Sequence, residues 1–226
     1  MKLLAVSPHL DDAAFSAGGM LALRVREGWE VTVVTCFTGN VAQPGGFALA
    51  CQLDKGLGPE VDYMALRRAE DRVACAELGA TAVHLPFLEA PHRGYEDAKA
   101  LFGARRVEDD VAARLRAALI GVVEEQRPDL ILGPLCLGSH VDHHVVREAL
   151  DGMGPLLLWE DWPYADKPEV TRPAVAALTV PLDDWARARR TAACAAYASQ
   201  LGFQFGGEAA MAARVAAIAE ERFHAA

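Results

Sequence analysis

Short apolar runs alternate along this chain with longer stretches in which apolar residues recur at helical spacing. Leu3-Leu4-Ala5-Val6 is the first run, and it reads as a strand buried on both faces of a parallel sheet. Residues 11–28 carry Phe15, Met20, Leu21, Leu23 and Val25 at helical intervals and end on Gly28, a C-cap signal. Gly18-Gly19 inside that helix costs roughly 1 kcal/mol per glycine, which points to close packing of helix on sheet. Residues 30–36 form a second strand, and strand, helix, strand at this spacing is a βαβ unit. Residues 43–62 are rich in Gly and Pro, lack periodicity, and are expected to form a loop over the site.

The alternation continues. Residues 63–78 predict a helix stopped by Gly79, 81–85 a strand, 86–98 an irregular stretch and 107–126 a helix broken by Pro128. A strand over 129–133 then feeds a helix over 140–150. Strands at 156–158 and 174–180 flank an aromatic loop, 159–164, and two Ala-rich helices, 183–199 and 207–223, finish the chain. The expectation is a doubly wound α/β fold, with a mainly parallel sheet flanked by helices as a three-layer sandwich. No repeat or boundary divides residues 1–226, so a single domain is expected.

Composition narrows the function. A net charge of -9 without basic clusters argues against nucleic acid as a partner. Five scattered cysteines with no CxxC pair fit reduced thiols, and with no room for a signal peptide before the first strand they predict a cytoplasmic protein. No apolar run approaches the ~20 residues of a membrane span. Homo-oligomerisation is left open.

The candidate chemistry sits at two strand ends. Pro8-His9-Leu10-Asp11-Asp12 follows the first strand, and His140-Val141-Asp142-His143-His144 follows the strand at 129–133. Ligands bind open α/β sheets at this end. His9 and Asp12 are three apart, as are His140 and His143, which share a helix face. Two imidazoles and a carboxylate make a catalytic zinc site with a position left for water, and the same set also suits Fe2+. Each motif has a plainer reading: Asp11 or Asp12 as a helix cap, and the second cluster as a solvated helix start with Asp142 near the dipole. Their shared position favours one metal site. One of the paired aspartates then coordinates and the other takes a proton from water, while His140 is free to polarise a carbonyl or protonate a leaving amine. Asp142 would orient a histidine, and His144 points elsewhere. Ser16 lacks a nucleophile elbow, and no GxGxxG or P-loop is present.

These residues resemble a known family. Pro8-His9-Leu10-Asp11-Asp12, Ser16-x-Gly18-Gly19 and His140-x-Asp142-His143 are similar to motifs of the PIG-L/LmbE-like zinc-dependent N-deacetylases. Arg67-x-x-Glu70 with Leu78-Gly79, and Tyr197-x-Ser199-Gln200, extend the likeness over most of the chain. The resemblance implies a Rossmann-like fold, in agreement with the alternation above, with zinc on His9, Asp12 and His143, Asp11 as general base, and His140 as oxyanion stabiliser or acid oriented by Asp142. It implies a substrate-facing Arg67, to which Arg93 is added as a second sugar contact. Two departures stand out: Leu10 and Ala13 replace the Pro and Glu of the usual Pro-His-Pro-Asp-Asp-Glu, and Gly138 stands where some sugar-thiol deacetylases carry tyrosine. The reading is a zinc-dependent hydrolase of a small N-acetyl amino-sugar substrate. An amidase acting on a sugar-thiol conjugate and a non-catalytic metal-containing sugar-binding protein are the alternatives. The 159–164 aromatics are expected to be a packed loop rather than a sugar platform, with Glu160 and Asp161 solvated.

Overall fold

A computed structural model describes all 226 residues. Seven strands form one sheet: β1 (Lys2–Ser7), β2 (Glu30–Thr35), β3 (Thr81–His84), β4 (Leu130–Pro134), β5 (Leu156–Trp159), β6 (Leu178–Pro181) and β7 (Glu220–Ala225). Their order is β3-β2-β1-β4-β5-β7-β6. Every pairing is parallel except the two made by β7, which lies antiparallel between β5 and β6. The helices are α1 (Asp12–Arg26), α2 (Gly46–Leu53), α3 (Tyr63–Leu78), α4 (Ala98–Leu101), α5 (Val111–Gln126), α6 (Val141–Ala149), α7 (Asp184–Ala195), α8 (Ala198–Phe205) and α9 (Glu208–Ala216). None is long and apolar enough to cross a membrane.

Strand alternation builds the layers. Leu3 and Ala5 of β1 enter a core with residues of α1, α3, α7, α8 and α9, while Leu4 and Val6 face α5 and α6 in a second core. A strand buried on both faces must be apolar throughout, which is why β1 reads as an unbroken run. After β1 the chain winds one way to β2 and β3, and β4 then starts the other half against the free edge of β1. The reversal between β1 and β4 is the switch point where open α/β sheets bind ligands.

Three expectations are corrected. The stretch 207–223 is not one helix: α9 ends at Ala216, and Glu220–Ala225 becomes β7. Helical spacing in an Ala-rich segment is overridden there by two neighbouring strands, whose ladders satisfy the backbone of residues 220–225. The 183–199 helix breaks into α7 and α8 around Tyr197, whose hydroxyl donates to Asp71 (2.7 Å). The 43–62 loop contains the helix α2.

The Gly18-Gly19 pair is explained by contact. A Cβ on Gly19 would lie 2.6 Å from Leu182 Cδ2 and 2.9 Å from Glu221 Oε1. The buried Glu221 carboxylate accepts from the amides of Gly19 (2.8 Å) and Met20 (2.7 Å) and pairs with Arg190 (3.1 Å). Arg190 in turn donates to the Phe15 carbonyl. Close approach of α1 to β7 is therefore a condition of both bonds. Gly19→Ala gains about 1 kcal/mol of helix propensity but loses about 1–3 kcal/mol to overpacking. Denaturant unfolding should show net destabilisation, and unchanged stability would remove the packing argument.

Candidate active site

The first turn of α1 is capped from an unexpected place. Ser7 Oγ accepts the Ala13 amide (3.0 Å) and donates to the His9 carbonyl (2.7 Å). Asp11 occupies the N-cap position but makes no capping bond with its side chain. Both aspartates are thus released toward the switch point, and the simple helix-cap reading fails.

Asp12 Oδ2 is the meeting point. It lies 3.1 Å from His9 Nδ1 and 3.3 Å from His143 Nε2, and accepts the His9 amide at 2.8 Å. His143 is fully buried and its Nδ1 bonds Asp161 Oδ1 at 2.8 Å. That contact holds Nδ1–H toward Asp161 and turns Nε2, which has no hydrogen-bond partner, toward Asp12, where a metal ion could replace its proton. His9 is held in the same way, with Nε2 on Asp142 Oδ2 at 3.0 Å and Nδ1 turned to Asp12. Two imidazoles, each backed by a carboxylate, therefore present nitrogen to one carboxylate oxygen.

This arrangement fits a metal ion. Ligands about 2.0–2.1 Å from a tetrahedral zinc sit roughly 3.3 Å apart, close to the two separations at Asp12. Donor atoms of His9, His140 and His143 also fall within 4.8 Å of one another. This three-histidine grouping is looser, and His140 Nδ1 already accepts the Asp142 amide (3.2 Å). Electrostatics agree: burial lowers proton affinity at His143, but Asp12 and Asp161 outweigh it and raise the imidazole to about 9. His9 is likewise raised well above its ordinary value, against burial, by Asp12 and Asp142. The pocket favours positive charge.

His140 is the N-cap of α6 and lies edge-on to His9 with ring centres 4.8 Å apart. Burial, with His9 and His143 nearby, pushes it down to about 3. Its resting form is the neutral ring, with Nδ1 as acceptor and Nε2–H as donor. Asp142 differs from expectation here. Its carboxylate bonds His9 and the Ala90 amide (3.0 Å), and pairs with Arg93 (2.8 Å); only its backbone N–H meets His140.

Asp11 is buried beside Arg67, whose Nη2 lies 3.2 Å from Oδ2. Burial raises Asp11 to about 7, while Arg67 pulls the other way. Arg67 lines the cavity but also donates to Glu89 (2.8 Å) and the Leu10 carbonyl (3.1 Å), leaving Nε without a partner. Arg93 does not line it. Its guanidinium is used on Asp109, Asp142 and the Leu88 carbonyl, behind the histidines. Glu70 accepts both the amide (2.8 Å) and hydroxyl (2.7 Å) of Ser199, so the Arg67-x-x-Glu70 and Ser199-Gln200 motifs meet across α3 and α8.

Glu160 and Asp161 are buried, not solvated. Asp161 accepts from Leu137 N–H (2.8 Å) as well as His143. Its only sequence signal was its place just after a buried strand. Trp159 and Trp162 are core residues, with Trp162 stacked on Phe205 at 4.8 Å. Tyr164 alone of these aromatics reaches the cavity, edge-on to His143 at 5.7 Å. A Cβ on Gly138 would lie 2.8 Å from the Tyr164 ring, so Tyr164 fills the space a side chain at 138 would need. His144 is exposed.

The cavity above this cluster has a volume of about 600 Å³. His9, Asp11, Asp12 and His140 form its floor, α2 and α8 supply one wall, and Phe102 and Tyr164 the other.

The chain is similar to several known deacetylases. Over 171 residues the chain is 34% identical to a 2'-N-acetylparomamine deacetylase of Streptomyces fradiae, covering 73% of this chain and 58% of that protein. Over 139 residues it is 34% identical to a 1D-myo-inositol 2-acetamido-2-deoxy-alpha-D-glucopyranoside deacetylase of Streptomyces avermitilis, covering 58% of this chain and 44% of that one. The chain thus spans about half the length of these curated relatives. Among solved structures, a pseudoaglycone deacetylase matches with TM-score 0.81 at 32% identity, covering 99% of this chain and 96% of that one. The zinc-inhibited form of a teicoplanin deacetylase matches with TM-score 0.81 at 27% identity, covering 95% and 90%. The family model PIG-L, described as GlcNAc-PI de-N-acetylase, matches residues 4–153, a stretch that includes both histidine motifs, and the chain belongs to that family.

Proposed function

We propose that this chain is a zinc-dependent N-deacetylase that removes acetyl from an N-acetylated amino sugar. The observation that carries the reading is the buried junction at Asp12, where two carboxylate-backed imidazoles converge within 3.1 and 3.3 Å of one oxygen beside a second, partnered aspartate. His9, Asp12 and His143 would hold the ion. When bound, zinc polarises the amide carbonyl and makes water a stronger acid at neutral pH. A structural zinc site is closed by four protein ligands, usually cysteine-rich, whereas this one has three and faces a cavity.

The chain's own groups then divide the work. Asp11, raised by burial, takes a proton from the attacking water as its oxygen bonds to the acetyl carbon. Arg67 holds the carboxylate in place through Nη2. His140 offers its Nε2–H to the carbonyl oxygen as negative charge develops there, acting as a neutral donor rather than a resting imidazolium. The proton on Asp11 passes to the amide nitrogen, the C–N bond breaks, and acetate and a free amine leave. Asp142 and Asp161 do no chemistry; they fix the ring orientation of His9 and His143. Because β1 and β7 belong to one sheet, residues 1–226 act as a single domain in this reading.

Two experiments test it. Asp11→Asn should retain zinc and lose roughly 10²–10⁴-fold in acetate release from an N-acetylglucosamine conjugate. Full turnover in that variant removes Asp11 as base. Asp161→Asn keeps an acceptor for one donor only, so zinc affinity, measured by chelator competition, should weaken about 10–100-fold. Unaltered affinity would show that His143 needs no support from Asp161.

A further inference from the structure

The chain has four tyrosines, and the partners of their hydroxyls set one of them apart. Tyr95 donates to Asp109 (2.9 Å), Tyr197 donates to Asp71 (2.7 Å), and Tyr63 accepts from Gln200 Nε2 (3.2 Å). The Tyr164 hydroxyl makes no hydrogen bond within the chain. It is not sealed in the core either: the side chain lines the cavity together with His9, Asp11, Asp12 and His140. A tyrosine hydroxyl withdrawn from bulk water ordinarily finds a partner. One left free beside a cavity floor is available to what enters the cavity.

The ring is fixed in place before anything enters. A Cβ on Gly138 would fall 2.8 Å from Tyr164 Cβ, Cγ and Cδ1, so the root of the side chain lies directly against the backbone at 138. The hydroxyl is at the opposite end of the ring. His143 stands edge-on at 5.7 Å, Phe102 edge-on at 6.0 Å, and Lys167 Nζ lies 5.0 Å from the ring centre. The short turn that carries Tyr164 also carries Asp161, the partner of His143, and is closed by the Ala165 amide on the Asp161 carbonyl (2.8 Å). Phe102 packs edge-on against His140 as well, at 5.4 Å, so the His140 and Tyr164 rings flank one phenyl ring on the same side of the cavity. Burial, followed by the carboxylates of Asp12 and Asp11, holds the phenol above its ordinary range, and the group is a protonated donor.

We propose that Tyr164 is a further catalytic residue, its hydroxyl donating a hydrogen bond to the acetyl carbonyl oxygen as negative charge develops there, beside the Nε2–H of His140. This rests on the deacetylase reading above. No proton is transferred: the phenol O–H bond stays intact, and the proton that reaches the amine is still the one taken up by Asp11. Two donors fixed before the substrate arrives stabilise the developing charge without reorganising. The plainer role, a ring that fills the space beside Gly138, needs no hydroxyl, so the two roles are separable.

Tyr164→Phe keeps the ring and removes the donor. With an N-acetylglucosamine conjugate, kcat for acetate release should fall roughly 10²-fold, the lower figure for loss of one such donor, while KM and zinc content stay unaltered. Calorimetry supplies a second readout by comparing the free-amine product with its methylphosphonamidate, a tetrahedral anion that imitates the attacked carbonyl. The variant should bind the phosphonamidate more weakly by a similar factor and the free amine equally well. Unaltered kcat, a raised KM at constant kcat, loss of zinc, or equal weakening of both ligands makes Tyr164 a packing or sugar-contact residue and overturns the proposal. If the unaltered protein releases no acetate, the deacetylase reading fails, and the phosphonamidate titration alone decides the donor. Selective weakening in Tyr164→Phe then supports it; equal binding to both proteins, or binding to neither, refutes it.

Discussion

Burying several carboxylates and imidazoles at one point is expensive unless each finds a partner of opposite charge or a cation holds them together. That constraint governs this molecule. Asp12, Asp142 and Asp161 are all buried, and each faces a histidine. His9 and Asp142 are 133 residues apart in the chain, and adjacency of β1 and β4 is what brings their segments into contact. Two helix N-termini, α1 and α6, start at the same place and favour the carboxylates of Asp12 and Asp142 in their first turns. The same field disfavours a protonated ring at the α6 N-cap, in keeping with a neutral His140.

A junction this tight tolerates little movement of α1, and the polar contacts elsewhere in the core serve that end. Glu221 on β7 grips the amides of Gly19 and Met20, and Arg190 takes the Phe15 carbonyl. On the neighbouring helix, Asp71 is shared by His84 (2.7 Å) and Tyr197 (2.7 Å), and Glu70 holds Ser199. These ties set α1 and α3, and with them Asp12 and Arg67. Removing one member of such a pair leaves a buried charge or acceptor alone, which costs more than the contact itself contributes.

What the sequence discloses follows from which signals are local. Unbroken apolar runs mark β1 and β4 because burial on two faces admits no alternation, and the ligand-type residues follow both strands. The C-terminal strand was hidden. Residues 220–225 contain Glu221 and His224, both buried, and polar residues with distant partners carry no apolar period to read. Asp161 was hidden for the same reason, since its burial depends on His143 and Leu137, which lie far from it in the chain. Asp142 stood in plain view, yet its partner was misassigned. Spacing along a helix tells which residues share a face, not which of two nearby imidazoles a carboxylate will bind. Arg93 shows the limit from the other side: a lone arginine in an irregular stretch looks available to substrate, but three acceptors behind the histidines use it.

The two halves of the cavity are under different physical control. On the floor, nearly every polar atom is committed to a partner, so a substitution there propagates through Asp142, Asp161 or Arg67 into the sheet's switch point. The α2 wall is less committed: its apolar side chains join no core, and the two bonds from Gln52 go to Gly58 and Val61 in the loop that follows it. Free-energy cost for change is therefore high at the cavity floor and lower at the α2 wall. A scaffold so divided can keep one bond-breaking arrangement while the wall is remodelled around different attached groups.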